Sequence, residues 1–515
     1  MKRFLLMVAA AVAVMFTSCS NETSDEGLEG QGGVTAQTYA TFTFKIDGTS
    51  TTRAVETDGS EPAESNSGTQ KINSIRFMIF NESTGVCEVN DKITSSSSAS
   101  YLVSAGTKKI YALANMTTDM DTKLATYAVN GSTKFHLDFL EEYFDAGEAN
   151  KAGFSLLGLY NTNEAFPMSN TSGTTYTLAP NIKKDAADGG LSSASLTGTS
   201  PTNSFSIPVG YMLSKVRVGV KNGGIASADF TAAKFSVRNI ARKTSLVQKI
   251  ISGNEYSWYS GKDVSLSYDA EFDRTSAPSV AIPQTGFSST SIYVAENNNS
   301  NITTGQSSYL ALNCEYKPQV VVTPSEWPLT KTSNPSGATY YMLTQEYKFG
   351  GNSIPAGTCF QNLADVVSAI KYMISPLDPT AVTETQWNTV VGTTTIKNQG
   401  PKNVVTVATY TGAQSYYRIN LGAGTGATTK YGVLRGNIYQ VTVNAITSPG
   451  YPSVTGLDNG WRNDTGIDKD GNELGEVEDP TDWPVKPGDP IDAQTAVAVS
   501  ITAKSWTVVS QGADL

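Results

Sequence analysis

Two residues near the start of the chain are placed for covalent chemistry. Cys19 follows a basic pair, Lys2 and Arg3, an apolar run from Phe4 to Phe16, and the small residues Thr17 and Ser18. A charged start, a short greasy stretch and small residues before a cleavage point read as a secretory signal peptide. The run is too short for a membrane span, which needs about 20 apolar residues. Small residues before a cysteine make a lipobox, so Cys19 is expected to carry a lipid after cleavage in front of it. The alternative is an ordinary signal peptide with a chance cysteine. The second residue is Arg53, in the polar stretch Gly48–Val55 that leads to a Ser-, Glu- and Gly-rich loop over residues 56–70. Such loops are where proteases cut, although a solvated loop cation has the same sequence.

Other chemistry is sparse. His136 is the single histidine, which excludes histidine triads and multi-histidine zinc sites. It falls among aromatic residues and reads as a packing or surface residue. No P-loop and no G-x-G-x-x-G on a strand–helix turn is present. Asp464–Glu473 is dense in oxygen ligands but lacks EF-hand spacing, so it reads as an acidic turn and no metal is expected. Cys87, Cys314 and Cys359 form no C-x-x-C pair. They read as small buried hydrophobes, with a Cys314–Cys359 disulfide as the alternative. No two acids stand out as a glycosidase pair. The formal net charge of −10 disfavours nucleic acid as a partner. No cofactor and no enzymatic activity are expected.

The elements around these residues are short strands. Charged residues are few, Gly, Ser, Thr and Asn abound, and the 24 tyrosines outnumber the 18 phenylalanines. That composition favours strands and turns. The first strand runs from Tyr39 to Asp47, with Phe42, Phe44 and Ile46 on one face and Thr41, Thr43 and Lys45 on the other, the period-2 mark of a half-buried strand. Further strands are expected at Ile72–Phe80, Lys108–Asn115, Lys215–Val220, Tyr309–Tyr316, Tyr416–Leu421 and Ile438–Ile446. Phe135–Phe144 reads as a short amphipathic helix and Leu363–Met373 as the best helix of the chain. Many short strands between turn clusters indicate β-sandwiches, with a boundary near residue 205. Gly450–Asp492 is acidic and carries five prolines, the composition of an extended linker. After it Val497, Val499 and Ile501 share a face, and Trp506 and Val508 continue the alternation one residue out of phase, which predicts a bulge near Lys504. An apolar strand behind a linker must pair either with its own domain or with another molecule.

In order along the chain, these pieces resemble the type V fimbrillins: a lipobox, a first strand, an arginine-bearing loop, two β-domains and an apolar terminal strand. Lys108–Asn115, Met212–Val218 and Leu434–Val443 (Leu-Arg-Gly-Asn-Ile-Tyr-Gln-Val-Thr-Val, with Gly436 inserted in the family's Arg-Asn-x-x-Tyr pattern) carry the resemblance. Nearly the whole chain is covered, and the pattern is most similar to that of a minor-fimbrium shaft subunit. The resemblance implies a mainly β fold of two tandem β-sandwich domains (transthyretin-like, Greek-key), with a few short helices and an extended C-terminal donor strand. It implies a signal peptide at 1–18, a lipidated propeptide at 19–53, domains at 54–205 and 206–450, and a linker with donor strand at 451–515. An Arg-specific surface protease would cut between Arg53 and Ala54 and free the strand carrying Phe42, Phe44 and Ile46. Val497, Val499, Ile501, Trp506 and Val508 of a neighbour would fill the gap, contributing on the order of 10 kcal/mol at ~1.5–3 each before ordering costs. Head-to-tail contacts of this kind build filaments. The implied partners are other copies of the chain, accessory fimbrial subunits, the protease, host or bacterial surface ligands and a transient outer-membrane lipid anchor. A tip or accessory adhesin, and a monomeric glycan-binding surface lipoprotein, are the competing expectations.

Overall fold

The computed structural model describes residues 37–46, 72–94, 98–140, 142–145, 167–170, 175–180, 203–241, 243–247, 249–251, 255–257, 272–273, 278–289, 291–297, 307–318, 320–333, 338–421, 433–459, 464–478 and 497–505. The fold is mainly β. Its N-terminal part comprises β1 (Gln37–Ile46), β2 (Ile75–Asn81), β3 (Cys87–Ile93), β4 (Ser98–Ser104), β5 (Gly106–Ala114), β6 (Met168–Ser169), β7 (Thr175–Leu178) and β8 (Ser204–Tyr211). They form one sheet path, β3-β2-β5-β6-β8-β1-β4, with β7 added on β5. Helices α1 (Thr118–Ala125) and α2 (His136–Leu140) lie between β5 and β6.

Only Met212 separates β8 from β9 (Leu213–Val220), and it is fully buried. The chain therefore passes from the first sheet to the next without a turn. The handover falls at Met212 and not at residue 205, because the strand pairing with β1 runs through Pro208 without a break. The second part adds β10 (Ala228–Arg238), β11 (Val280–Ala281), β12 (Ile292–Ala295) and β13 (Tyr309–Tyr316). Then follow β14 (Val321–Thr323), β15 (Thr330–Thr332), β16 (Tyr340–Leu343), β17 (Cys359–Phe360) and β18 (Val405–Tyr410). Next come β19 (Gln414–Asn420), β20 (Asn437–Ile446), β21 (Thr465–Ile467), β22 (Glu473–Glu476) and β23 (Val497–Ser505). Two four-stranded sheets, β12-β9-β20-β23 and β11-β10-β13-β19, share one apolar cluster with the N-terminal sheet.

β13 and β19 are antiparallel neighbours, so residues 317–413 are an insertion between the two arms of a hairpin. Its strands join β21 and β22, which come later in the chain, in one sheet, β15-β14-β17-β16-β18-β21-β22, and a second apolar cluster packs there. Helix α3 (Leu363–Ile374) matches its expected position and buries Val366, Val367, Ile370 and Met373 on that sheet. Helix α4 (Glu384–Val391) was not anticipated, although Thr383 and Gln386 close a capping box at its start.

The stretch read as linker is part of the fold as far as residue 478. Helix α5 (Val454–Asn459) presents Asp458 to Arg238, whose Nε donates to Oδ1 at 2.7 Å, and Tyr309 donates its hydroxyl to the same carboxylate. β21 pairs with β18, and β22 with β21. Acidic, turn-rich sequence is also the composition of a hairpin, and here Asp468 closes one. Its Oδ1 accepts the N–H groups of Asp470 at 2.9 Å and Asn472 at 2.8 Å. Residues 479–496 lie outside the described residues. The helix expected over Phe135–Phe144 stops at Leu140, since Tyr143–Asp145 pairs instead with Lys243–Ser245.

Arg435 ties the junction together. Its Nε donates to Glu296 Oε2 at 2.7 Å, its Nη2 to the Ser245 carbonyl at 2.8 Å and its Nη1 to the Leu246 carbonyl at 3.3 Å. Gly436 follows at a φ of +70°, where a side chain would be strained, and its N–H donates to the Leu213 carbonyl at 2.9 Å. This is the physical content of the Leu434–Val443 motif. The Arg435 and Glu296 side chains are 7% and 3% exposed. Removing one partner of such a pair costs about 3–5 kcal/mol. Arg435→Ala is therefore expected to lower unfolding free energy in urea by that amount, with Arg435→Ala/Glu296→Leu recovering part of it. Equal loss in single and double variants would mean that Arg435 acts through its carbonyl contacts alone.

Candidate assembly site

β1 occupies an interior position of the N-terminal sheet. It runs antiparallel to β4, with Thr41 opposite Ser100, and parallel to β8, with Phe42 opposite Phe205. Interior strands use backbone groups on both edges, so β1 is the one piece joining β4 to the rest of the sheet path. Its alternation begins earlier than the sequence suggested. Thr38, Ala40, Phe42 and Phe44 all face inward and are buried, while Gln37 and Thr43 are exposed. The Phe42 ring lies 4.9 Å from Phe77 and 5.8 Å from Phe205, and Phe44 meets Phe77 edge-on at 5.2 Å. Ile46 closes β1, but its side chain lies outside the described residues.

A polar clamp closes the other end of β1. Asn203 is 1% exposed. Its Nδ2 donates to Thr38 Oγ1 at 2.9 Å, to the Ala179 carbonyl at 2.9 Å and to the Tyr39 carbonyl at 3.2 Å. Its Oδ1 accepts the Ala179 N–H at 2.9 Å, and its carbonyl accepts the Thr41 N–H at 2.8 Å. Sequence reasoning missed Thr38, Ala40 and Asn203. The first two extend the period-2 pattern upstream, whereas nothing local marks Asn203.

The terminal strand is not at this site. β23 lies antiparallel on β20, with Val499 opposite Val443 and Ile501 opposite Val441, at the edge of its sheet. Val499 and Ile501 are half-buried against the core. Val497 begins β23, but its side chain lies outside the described residues. β23 runs unbroken through Lys504, and the irregularity sits instead in β20, between Val443 and Ala445. The reason is that Asn444 is the extra residue, so the partner strand absorbs the mismatch. Cys19, Arg53, Ala54, Trp506 and Val508 lie outside the described residues. The structure thus gathers the first-strand residues in one groove and holds the terminal strand elsewhere on the same chain.

The remaining candidates settle into packing roles. His136 Nε2 lies 2.6 Å from the Tyr111 hydroxyl, its ring packs on Phe80, and burial pushes its pKa below the usual histidine value. Cys87, Cys314 and Cys359 are free and buried. Burial pushes the Cys87 thiol up to about 11 and Cys359 to about 12, which leaves little reactive thiolate. Among the described residues no group of His, Cys, Asp and Glu could hold a metal ion.

Residues 40–204, which begin within β1 and stop at the start of the last strand of the N-terminal sheet, match the family of the major fimbrial subunit protein (FimA). That match supports the type V fimbrillin resemblance. No curated protein shows significant similarity to the chain. Among solved structures, a candidate cell-adhesion protein of Parabacteroides distasonis is similar at 12% identity and a TM-score of 0.40, covering 92% of this chain and 100% of its own. The fimbrillin FimA of Porphyromonas gingivalis is similar at 11% identity and a TM-score of 0.38, over 92% and 99%. The tip fimbrial protein Mfa3 of the same organism is similar at 12% and 0.31, over 79% and 95%.

Phe44→Asp places a carboxylate among Phe77 and Phe42. The uncut chain is expected to lose about 3–5 kcal/mol in denaturant unfolding. An unchanged uncut chain would show that β1 contributes little to the fold.

Proposed function

We propose that the chain is a structural subunit of a cell-surface fimbria that polymerises by protease-activated donor-strand exchange and supports adhesion. The observation that carries the reading is the interior position of β1. It is the one N-terminal strand joined to the rest of the sheet through the segment bearing Arg53, and it fills a groove with backbone partners on both sides and Phe42 and Phe44 inside. Cleavage between Arg53 and Ala54 leaves β1 held by non-covalent contacts alone. A neighbour's terminal strand then supplies the same two rows of hydrogen bonds, a form of β-strand addition. The chain arrives as an outer-membrane lipoprotein held through Cys19, and its partners are further copies, accessory subunits and surface ligands.

The arginines of the fold support selective processing. Arg76, Arg217, Arg238, Arg418 and Arg435 are the arginines among the described residues, and all five are engaged. Arg76 is held by Asp121, Arg217 by Ser291, Arg238 by Asp458 and Arg435 by Glu296, while Arg418 lies over the Tyr309 ring. Lys92, Lys123 and Lys348 are far more exposed, at 46%, 44% and 69% of their side chains. The five arginines are poor targets for an Arg-specific protease, and Arg3, Arg53, Arg242, Arg274 and Arg462 lie outside the described residues.

The competing reading, a monomeric surface lipoprotein, draws on the pairing of β23 with its own β20. One experiment separates the two. The precursor without its lipid is treated with an Arg-specific protease, then analysed on unboiled gels and by N-terminal sequencing. A ladder of oligomers from a chain starting at Ala54 is expected, lost with Arg53→Ala and with truncation after Pro490. A clean monomer after cutting would favour the lipoprotein reading or a tip position.

A further inference from the structure

The two strands that would exchange are similar in a way that fixes how one replaces the other. β1 reads Gln37-Thr-Tyr-Ala-Thr-Phe-Thr-Phe-Lys-Ile46, and the terminal segment reads Gln494-Thr-Ala-Val-Ala-Val-Ser-Ile-Thr-Ala503. Aligned on the shared Gln-Thr, the inward positions Thr38, Ala40, Phe42 and Phe44 correspond to Thr495, Val497, Val499 and Ile501. The hydroxyl of Thr43, which donates to the Phe205 carbonyl at 3.3 Å, corresponds to that of Ser500. Thr38 matters most, because its hydroxyl is the side-chain acceptor that β1 offers to the buried Asn203 amide.

From this, and resting on the donor-strand reading above, we propose that Asn203 is the register-determining residue of the groove. It binds the hydroxyl of Thr495 from a second copy, and the incoming strand runs in the direction of β1 with Val497, Val499 and Ile501 inside. Neighbouring registers fail for stated reasons. A shift of two residues one way puts Val497 against Asn203, so a methyl group replaces the hydroxyl acceptor at 2.9 Å and the amide keeps from the strand only the longer contact to a backbone carbonyl, as at Tyr39, at 3.2 Å. The same shift the other way puts the Thr495 hydroxyl into the fully buried slot of Ala40. A shift by one residue exchanges the faces. Centring that phase on Trp506 and Val508 then brings Lys504 or Ser510 onto the buried side. The first half of the terminal segment is therefore the plug, and Trp506 and Val508 lie beyond it.

Cross-linking tests the register directly. Thr41 faces Ser100 across the β1–β4 pair, with their hydroxyl oxygens 2.8 Å apart. In the proposed register Ala498 takes the place of Thr41. Chains carrying Ser100→Cys with Ala496→Cys, Ala498→Cys or Ser500→Cys are cut with the Arg-specific protease, oxidised, boiled and run without reductant. A disulfide-linked ladder is expected with Ala498→Cys alone. A ladder from Ala496→Cys or Ser500→Cys, or none from Ala498→Cys while unboiled gels show oligomers, overturns the register. If wild-type protein forms no oligomers on unboiled gels, the donor-strand reading itself fails and the register with it. The role of Asn203 has its own readout. Thr495→Val is expected to speed dissociation of the oligomers about tenfold and Thr495→Ser to leave it near wild type, as loss of one buried hydrogen bond implies. Equal rates for Thr495→Val and wild type would remove Asn203 from the mechanism.

Discussion

A strand in the middle of a sheet leaves two rows of backbone donors and acceptors without partners if it is taken away, and buried backbone groups in that state are scarcely tolerated. β1 holds such a position between β4 and β8, and the aromatic cluster of Phe42, Phe44, Phe77, Tyr101 and Phe205 is assembled around it. Without β1, β4 would pair with nothing on that side. The N-terminal sheet is therefore complete only while some strand occupies this place, whichever chain provides it. The order of strands, the Asn203 clamp and the alternation of Thr38, Ala40, Phe42 and Phe44 all serve that one position.

The terminal strand is under the opposite condition. β23 is paired along one edge only, and Val499 and Ile501 are half-buried where Phe42 and Phe44 are buried. Moving it into the groove would add a second row of hydrogen bonds while giving up its pairing with β20. The apolar side chains it brings are smaller than the phenylalanines they would replace, so close packing favours β1 over its substitute. Exchange in an intact chain then runs uphill, since β1 is also tethered to the sheet it completes. Cutting the tether changes the balance through entropy and dilution more than through contacts, because a released strand does not return at the effective concentration of a linked one. In the proposed assembly, that is the physical reason for coupling polymerisation to cleavage.

Local alternation was readable in the sequence, and it located β1, β5, β9, β13, β20 and β23 to within a few residues. Helix α3 was readable for the same reason, with Leu363, Val366, Val367 and Ile370 at helical spacing. What was not readable depended on partners far away in the chain. Residues 454–478 look like linker until Arg238 supplies a counter-charge to Asp458 and β18 supplies an edge to β21. The phase of the apolar residues slips near Lys504, yet the partner strand absorbs the mismatch at Asn444. Asn203 carries no periodic signal, since its role rests on Thr38 and Ala179, one of them distant by 165 positions. Even Cys314 and Cys359, spaced as an exported disulfide pair could be, remain thiols in the apolar core that their burial dictates.

The ends of β1 differ in how they are held, and in the proposed exchange this orders the events that follow a cut behind Ile46. The clamp from Asn203 grips Thr38, Tyr39 and Thr41 at the N-terminal end, whereas the far end of the strand depends on backbone pairing with β8 and on the Phe44 contact with Phe77. Fraying therefore starts next to the cut, at the end with fewer side-chain hydrogen bonds and a newly free terminus. In the proposed register the residues of an incoming strand that pair first are Ile501 and those just after it, and they can do so while Thr38 still holds. Stepwise displacement keeps most of the groove paired throughout, so the barrier is that of a moving junction and not of an empty sheet. Thr495 reaches Asn203 last, when the rest of the strand is in place, and the hydrogen bond it forms closes only if every earlier pair is in register.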